Sequence, residues 1–329
     1  MAEYLINATD LTKVASAIRE KGGTSASLVY PGGFVSAIQA IQTGAPLQII
    51  VTTSAGATVT ATKDSKTVSG TADTSGNCTL TVDEIGTWTV TAATASSTNT
   101  ADVVVGAANV DMIMIDPVFG NNSWAAIIKA CQEKQVPETW NVGDSCNMTI
   151  NNKTYAIDII GKNHDYYADS SGKVPLTFQI HDCYEQKVMN SSATNGTGWK
   201  NCAMRLQHLP AILALMPTEV QNGIREVYKT TAASGQDGGT PGTADKLFLL
   251  SEIEVFGGTP HSYPGEGTQY AYYKAGNSRV KKQDGGMSHW WERSPNKGTN
   301  RIFNMVNSLG NANYSDADYP CGVAFGFCF

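Results

Sequence analysis

Charge is scarce in this sequence. Asp, Glu, Lys and Arg make up only 16% of its 329 residues, and the formal net charge is −6. A chain with no basic stripe or patch has nothing to track a phosphate backbone or an anionic bilayer, so nucleic acid is not an expected partner. Nor does any apolar stretch approach the roughly 18 uninterrupted residues of a membrane-crossing helix, so no membrane insertion is expected. The opening MAEYLINATDLTKV lacks the basic and apolar segments of a secretory signal, which points to synthesis in a cytoplasm. Cys78, Cys131, Cys146, Cys183, Cys202, Cys321 and Cys328 are dispersed without a CxxC pair, which leaves no zinc ribbon and no dense disulfide framework. They read as buried thiols. No cofactor and no metal are expected.

What the sequence has in abundance is turn chemistry. Its 32 glycines stand among many Ser, Thr and Asn, a composition of loops held on a scaffold. The texture changes twice along the chain, and three segments follow, at residues 1–45, 46–108 and 109–329. The first reads as two short helices. Thr9 or Asp10 caps the first, Leu11, Val14 and Ile18 recur at helical spacing, and Gly22 and Gly23 stop it. The second places Phe34, Ile38 and Ile41 on one face and ends at Gly44. Helices this short are marginal alone and need a partner. The stretch TDLTKVASAIREKGGTSASLVYPGGFVSAIQAI resembles an N-terminal module of tail and baseplate-associated proteins of phages that infect Gram-positive bacteria. The resemblance implies attachment to phage tail or baseplate proteins, or to copies of the chain itself.

Residues 46–108 alternate with period two. In GTWTVTAAT, Trp88, Val90 and Ala92 face one way while Thr87, Thr89 and Thr91 face the other; Leu80 and Val82, and Val59 and Ala61, repeat the pattern. Turn signals at SAGA, KDSK, DTSGN and DEIG separate five to seven short strands, the pattern of a small antiparallel sandwich. It resembles the Ig-like spacer domains of phage and bacterial surface proteins, and no catalytic constellation interrupts it.

The last segment mixes helices and strands. Trp124, Ile127, Ile128 and Cys131 share a helical face that ends before Pro137. Helical spacing returns over 208–230, where Pro217 restarts a turn and Val220, Ile224 and Val227 follow. Apolar runs at 155–160, 176–180 and 246–256 read as strands, and the whole as an α+β domain. Its ordered landmarks are WNVGDSCNMTINNKTYAIDIIGKNHD, LTFQIHDCY, Gly198 and Trp199, Met204 and Arg205, DKLFLLSEIEVFG, WWERSP and the terminal GVAFGFCF. They are similar to a large family of phage and bacterial domains with a C-type-lectin-like fold. The expected architecture is therefore multidomain: a short helical N-terminal module, an all-β Ig-like sandwich and an α+β C-type-lectin-like C-terminal domain.

Within that family, the version that ends in GVAFGFCF resembles the variable proteins of diversity-generating retroelements. Such systems rewrite the 3′ end of one gene at template adenines, and the resemblance implies a variable region at about residues 288–321. An Asn codon randomised at its two adenines encodes Ser, Thr, Asp, Tyr, His, Ile and Leu among others, but not Trp, Met, Glu, Gln or Lys. That rule supports Trp290, Trp291 and Glu292 as scaffold, and Arg293, Phe303, Phe325 and Phe327 also read as scaffold within the family pattern. The candidate ligand-binding positions are His289, Asn296, Lys297, Thr299, Asn300, Ile302, Asn304, Asn307, Leu309, Asn311, Asn313, Tyr314, Ser315, Asp316, Asp318 and Tyr319. Lys297 departs from the codon rule. Tyr, Ser and Asn are what adaptable paratopes use, because aromatic anchors lose little entropy and short polar groups adjust their hydrogen bonds.

The expected function is a phage tail receptor-binding protein, non-enzymatic, that engages a bacterial surface protein or glycan receptor. Its expected location is the virion, and a homotrimer is implied by resemblance alone. A structural tail component without diversification is the alternative, with an enzyme similar to formylglycine-generating enzymes behind it. That chemistry needs a close cysteine pair, whereas Cys321 and Cys328 are seven residues apart and Cys321 falls among the variable-looking positions. His164 with Asp165, and His181 with Asp182 and Cys183, lack metal-ligand spacing and read as scaffold. Asp316 and Asp318 are too sparse for a calcium loop.

Overall fold

A computed structural model of the chain describes residues 8–22, 28–30, 33–34, 47–95, 97–106 and 109–329. It is built mainly of β-sheet, with a few short helices. Helix α1 (Ala8–Gly22) includes Thr9 and Asp10 in its first turn, so neither stands ahead of it as a cap. It buries Ala15 and Ile18 against Phe34, with Leu11 and Leu28 beside them. Leu11 and Ile18 belong to this stripe as expected, but Val14 is 48% exposed and Ala15 takes its place. Ile38, Ile41 and Gly44 lie outside the described residues.

The second segment forms two small sheets. Strands β1 (Leu47–Thr52), β4 (Asn77–Val82) and β7 (Val110–Ile113) make one, in the order β4-β1-β7. Strands β2 (Thr58–Lys63), β3 (Lys66–Thr71), β5 (Gly86–Ala93) and β6 (Thr98–Val105) make the other, ordered β3-β2-β5-β6. Trp88, Val90, Ala92, Leu80, Val82, Val59 and Ala61 all enter one core, as period two requires when one face is buried. The seventh strand falls past residue 108 and pairs in parallel with β1, and Met114 closes the same core. The boundary therefore lies several residues later than the composition change suggests.

The remaining chain is organised around two five-stranded sheets. The first joins β8 (Ser145–Ile150), β9 (Lys153–Lys162), β10 (Leu176–Ile180), β14 (Leu247–Phe248) and β21 (Gly326–Cys328) in the order β14-β21-β10-β9-β8. The second joins β11 (Gln186–Lys187), β17 (Trp290–Pro295), β18 (Ile302–Val306), β19 (Ala312–Asp316) and β20 (Cys321–Gly322) as β11-β20-β17-β18-β19. Hairpins β12 (Val227–Thr230) with β13 (Gly242–Asp245), and β15 (Lys281–Gln283) with β16 (Gly286–Ser288), flank them. The terminal residues 321–329, all buried, carry β20 and β21 and so run through both sheets. Gly326 passes this crowded centre because an added Cβ would meet Phe248 at 2.9 Å and the Phe178 carbonyl at 3.0 Å. Around it Phe178 packs on Phe327 and Phe329 with centroids 5.3 and 5.4 Å apart.

Helix α2 (Trp124–Gln132) carries Trp124, Ile127, Ile128 and Cys131 into the same core. The expected 208–230 helix is instead broken. A π-helical turn at Met204–His208 leads into α3 (Leu209–Leu213) and α4 (Thr218–Gly223), after which Ile224 is extended and Val227 starts β12. Apolar residues spaced at three and four satisfied a helical pattern that a turn and a buried strand also satisfy. The apolar run 246–256 divides likewise: only Leu247–Phe248 is strand, and α5 (Glu252–Phe256) begins at Ser251. Ser251 and Glu254 form a reciprocal capping box there, and Gly257 at φ 75° closes the helix. One more short helix, α6 (Ala271–Lys274), buries Tyr273. Among the described residues no helix is long and apolar enough to cross a membrane.

Candidate ligand-display surface

Every residue of β17, the WWERSP strand, is buried. Trp290 donates through Nε1 to the Arg279 carbonyl and Trp291 to the Lys187 carbonyl, both at 2.8 Å. Arg293 is 0% exposed and spends its whole fork inside the protein. It donates to both Glu254 oxygens, to the Thr231 hydroxyl and to the carbonyls of Leu249, Thr230 and Glu266. Such bidentate, charge-assisted pairing holds a strand in one place. The pairing of β17 with β18 slips between Trp291 and Pro295, because four steps on one strand oppose two on the other. This bulge tucks Glu292 and Ser294 inward.

Several carboxylates gather behind the strand. Glu252 accepts from the His261 and Ser262 backbone N–H groups, the Ser262 hydroxyl and His261 Nδ1. Glu266 accepts from the Ala232 N–H at 2.8 Å and from the Ser294 hydroxyl. Burial outweighs those bonds and pushes the Glu266 carboxyl up to about 7. Burial, with Glu252 and Glu266 nearby, drives Glu292 well above the carboxylate range. Both Glu292 oxygens and Asn304 Nδ2 have no hydrogen-bond partner among the described residues. Glu254 is held low despite its burial, because Arg293 and Lys229 flank it. Among the described residues no group of three or more His, Cys, Asp or Glu side chains is arranged to hold a metal ion.

On this buried frame the candidate positions fall into two groups and a connecting edge. Trp290 pairs with Val306, and Val306 with Ala312, so His289, Asn307, Leu309 and Asn311 gather at one end of the sheet. Asn307 Oδ1 accepts from the Leu309 and Asn311 N–H groups, an Asx turn that leaves Leu309 70% exposed. Ile302 pairs with Asp316 at the opposite end, which gathers Lys297, Thr299, Asn300, Asp318 and Tyr319. Arg301, 3.1 Å from Asp316, crosses between the two strands there. The ends stand roughly 15 Å apart at about 3.3 Å per residue, joined along the outer strand β19 by Asn313, Tyr314 and Ser315.

Two candidates are not displayed. Asn304 is 0% and Asn296 6% exposed, and Asn296 Nδ2 donates to Asn304 Oδ1 at 2.9 Å. Asn304 sits mid-strand between β17 and β19, covered on both faces. An Asn-rich composition does not distinguish such a structural amide from a solvated one. Conversely, His261 and Tyr263, far off in sequence, join the surface, and the buried Asn195 and Gly235 brace it from within. The His261 ring meets Tyr314 edge-on at 5.3 Å, and its carbonyl accepts from the Lys297 N–H at 2.7 Å. Lys297 Nζ lies 5.3 Å from the Tyr263 ring centroid. The Asn195 amide donates to the Ile302 carbonyl, and its carbonyl oxygen accepts from the Gly235 N–H. No periodicity marks these loop residues; only the tertiary contacts bring them in.

The remaining motifs are only partly internal, and the His181 ring is half exposed. Asp165 is buried and accepts from Lys229, Thr177 and Tyr270, and His181 Nδ1 lies 2.7 Å from the buried Asp158. Cys183 is buried, its thiol pushed up to about 12 mainly by burial. Trp199 and Arg205 converge on Asp245. No curated protein matches the chain. Residues 165–328, which carry this surface and most of the strands behind it, are matched by a family described as a domain of unknown function (DUF6273).

Proposed function

We propose that the chain is a receptor-binding protein of a phage tail, in which a C-type-lectin-like head displays a ligand-binding surface on an Ig-like spacer, with a helical module for attachment. The reading is carried by one contrast within residues 288–321. Every side chain of β17 is locked inside the fold, while all the candidate positions except Asn296 and Asn304 reach solvent along a single hairpin and its two ends. A surface that can change residue by residue without unfolding its support is what diversified recognition requires. Tyr314, Tyr319 and Leu309, exposed by 47, 57 and 70%, would be its anchors, since a few aromatic or apolar side chains supply most of the energy of a standard interface of about 800 Å² per partner. The partner would be a protein or glycan of a bacterial surface. Several copies, as in a homotrimer, would add avidity where geometry permits simultaneous engagement.

The cysteines favour binding over catalysis. Cys321 and Cys328 are buried, and burial pushes the first to about 12 and the second well above the thiol range, whereas a nucleophilic cysteine needs a lowered pKa and access. The deciding experiment is to sequence the 3′ end of the gene and its flanking DNA across many copies from one phage population. Substitutions at template adenines, confined to codons of the exposed positions and sparing the β17 scaffold, are expected. An invariant 3′ end without a neighbouring template repeat would overturn diversification and leave an undiversified tail protein.

A further inference from the structure

A cleft of about 330 Å³ opens beside β12, between His164 and Asp165 on one side and the loop from Gly265 to Thr268 on the other. Its floor is a charge cluster that closes on itself. Lys229 Nζ lies 3.2 Å from Glu254 Oε1, donates to the Tyr270 hydroxyl at 2.7 Å and bonds Asp165. Arg293 occupies both oxygens of Glu254. Two buried cations thus meet two buried carboxylates, and the floor offers a ligand no unmatched charge.

The rim is aromatic and open. Tyr166 and Tyr228 are 58% and 52% exposed, and the Tyr228 N–H donates to the Tyr166 carbonyl at 2.9 Å. Tyr228 lies over Gly242, where an added Cβ would fall 2.2 Å or less from its Cε2, Cζ and hydroxyl. The glycine therefore lets the ring lie close against the β13 backbone while half of the side chain stays exposed. Lys173 Nζ stands 5.0 Å from the Tyr166 ring centroid. Between rim and floor, the His164 ring stacks on Tyr270 at 4.1 Å. Its Nε2 is 3.5 Å from the Thr268 hydroxyl, a contact long enough to leave both groups able to bond a ligand. Burial lowers the His164 pKa, so at neutral pH the imidazole offers one donor and one acceptor.

We propose that this cleft binds an uncharged sugar ring, a hexose unit of a glycan, with Tyr228 and Tyr166 as stacking platforms and His164 and Thr268 as partners for its hydroxyls. A hexose has an apolar C–H face and a polar edge, which matches open tyrosine faces above a few placed polar groups and a neutral floor. Apart from Arg293 beneath the floor, the site lies outside residues 288–321, so it stands whether or not that region varies.

Saturation-transfer NMR on the full chain tests this with D-glucose, D-galactose and N-acetylglucosamine at millimolar concentration. Transfer to ring C–H protons of at least one sugar is expected, weakened by roughly fivefold or more in Tyr228→Ala and in Tyr166→Ala. It should persist in Tyr228→Phe, which keeps the platform, and in Tyr314→Ala, which alters only the displayed surface. Absence of transfer to all three sugars overturns the proposal. So does transfer that survives both tyrosine truncations, or that is lost in Tyr314→Ala, since binding then belongs to the displayed surface. Binding of adenosine without any sugar would also overturn it and assign the cleft to planar rings.

Discussion

Glu266 shows how one buried side chain ties stability to pH. Its two protein donors do not offset its burial, and the carboxyl stands at about 7 in the folded chain against an ordinary value near 4.3. As pH rises from about 4.3, the unfolded chain releases this proton first. Stability therefore falls between about 4.3 and 7 and levels off above, by on the order of 4 kcal/mol in total at 1.36 kcal/mol per unit. Glu266→Gln keeps an oxygen for the Ala232 N–H, and the Ser294 hydroxyl can turn to accept from the new amide. The variant is expected to be the more stable protein above pH 7 and to lose that advantage toward pH 4. Urea unfolding at a series of pH values measures the difference; curves that stay parallel across this window would remove Glu266 from the account. Glu254 has the opposite sign. Arg293 and Lys229 hold its pKa low, so its contribution is lost as pH falls.

At the scale of the element, the β18–β19 hairpin sorts its residues by depth. Phe303 is 0% exposed on β18, while Leu309 at the turn is 70% exposed. Phe303→Ala is expected to cost about 3–5 kcal/mol through lost burial and a cavity, and Leu309→Ser less than about 0.5 kcal/mol. Thermal unfolding of the two variants checks this; comparable losses would mean that the turn is part of the core and not a displayed tip. The same distinction explains what the sequence made legible. The alternation of Trp88, Val90 and Ala92 could be read because one face of β5 is buried and the other is not. The run 246–256 could not, because an apolar strand and an apolar helix look alike until Ser251 is seen to cap the helix with Glu254. Among the candidate positions, the exposed ones were found by residue type, whereas Asn296 and Asn304 share that type but bond each other inside the sheet. His261 and Tyr263 reach the surface, and the buried Asn195 and Gly235 brace it, only through loop contacts, and no local pattern encodes those.

Across the whole molecule, the two-sheet segment and the body behind it meet at a joint of hydrogen bonds. The Ser123 hydroxyl donates to the Thr53 carbonyl at 2.6 Å and accepts from the Ala126 N–H as the N-cap of α2. Ser97 bonds Asp116, and Asn99 Nδ2 donates to the Ile115 carbonyl at 2.8 Å. Gly76, at φ 84°, fits between these parts only because it has no side chain; a Cβ there would lie 2.1 Å from the Thr53 carbonyl and 2.2 Å from Ser123 Oγ. A helix cap and a cross-joint bond thus depend on the same hydroxyl, so Ser123→Ala should cost about 1–3 kcal/mol. Gly76→Ala should displace the same contact from the other side and add backbone strain. Because both variants break one shared bond, their losses should fall short of additivity by about 0.5–2 kcal/mol in a double-mutant cycle measured by urea unfolding. Strictly additive losses would mean that the two parts are stabilised separately and that the joint is slack. In the proposed receptor-binding role, a stiff joint would fix the angle at which the candidate surface is presented, and any avidity among several copies would depend on that angle, because linked sites reinforce one another only when all of them reach their ligands at once.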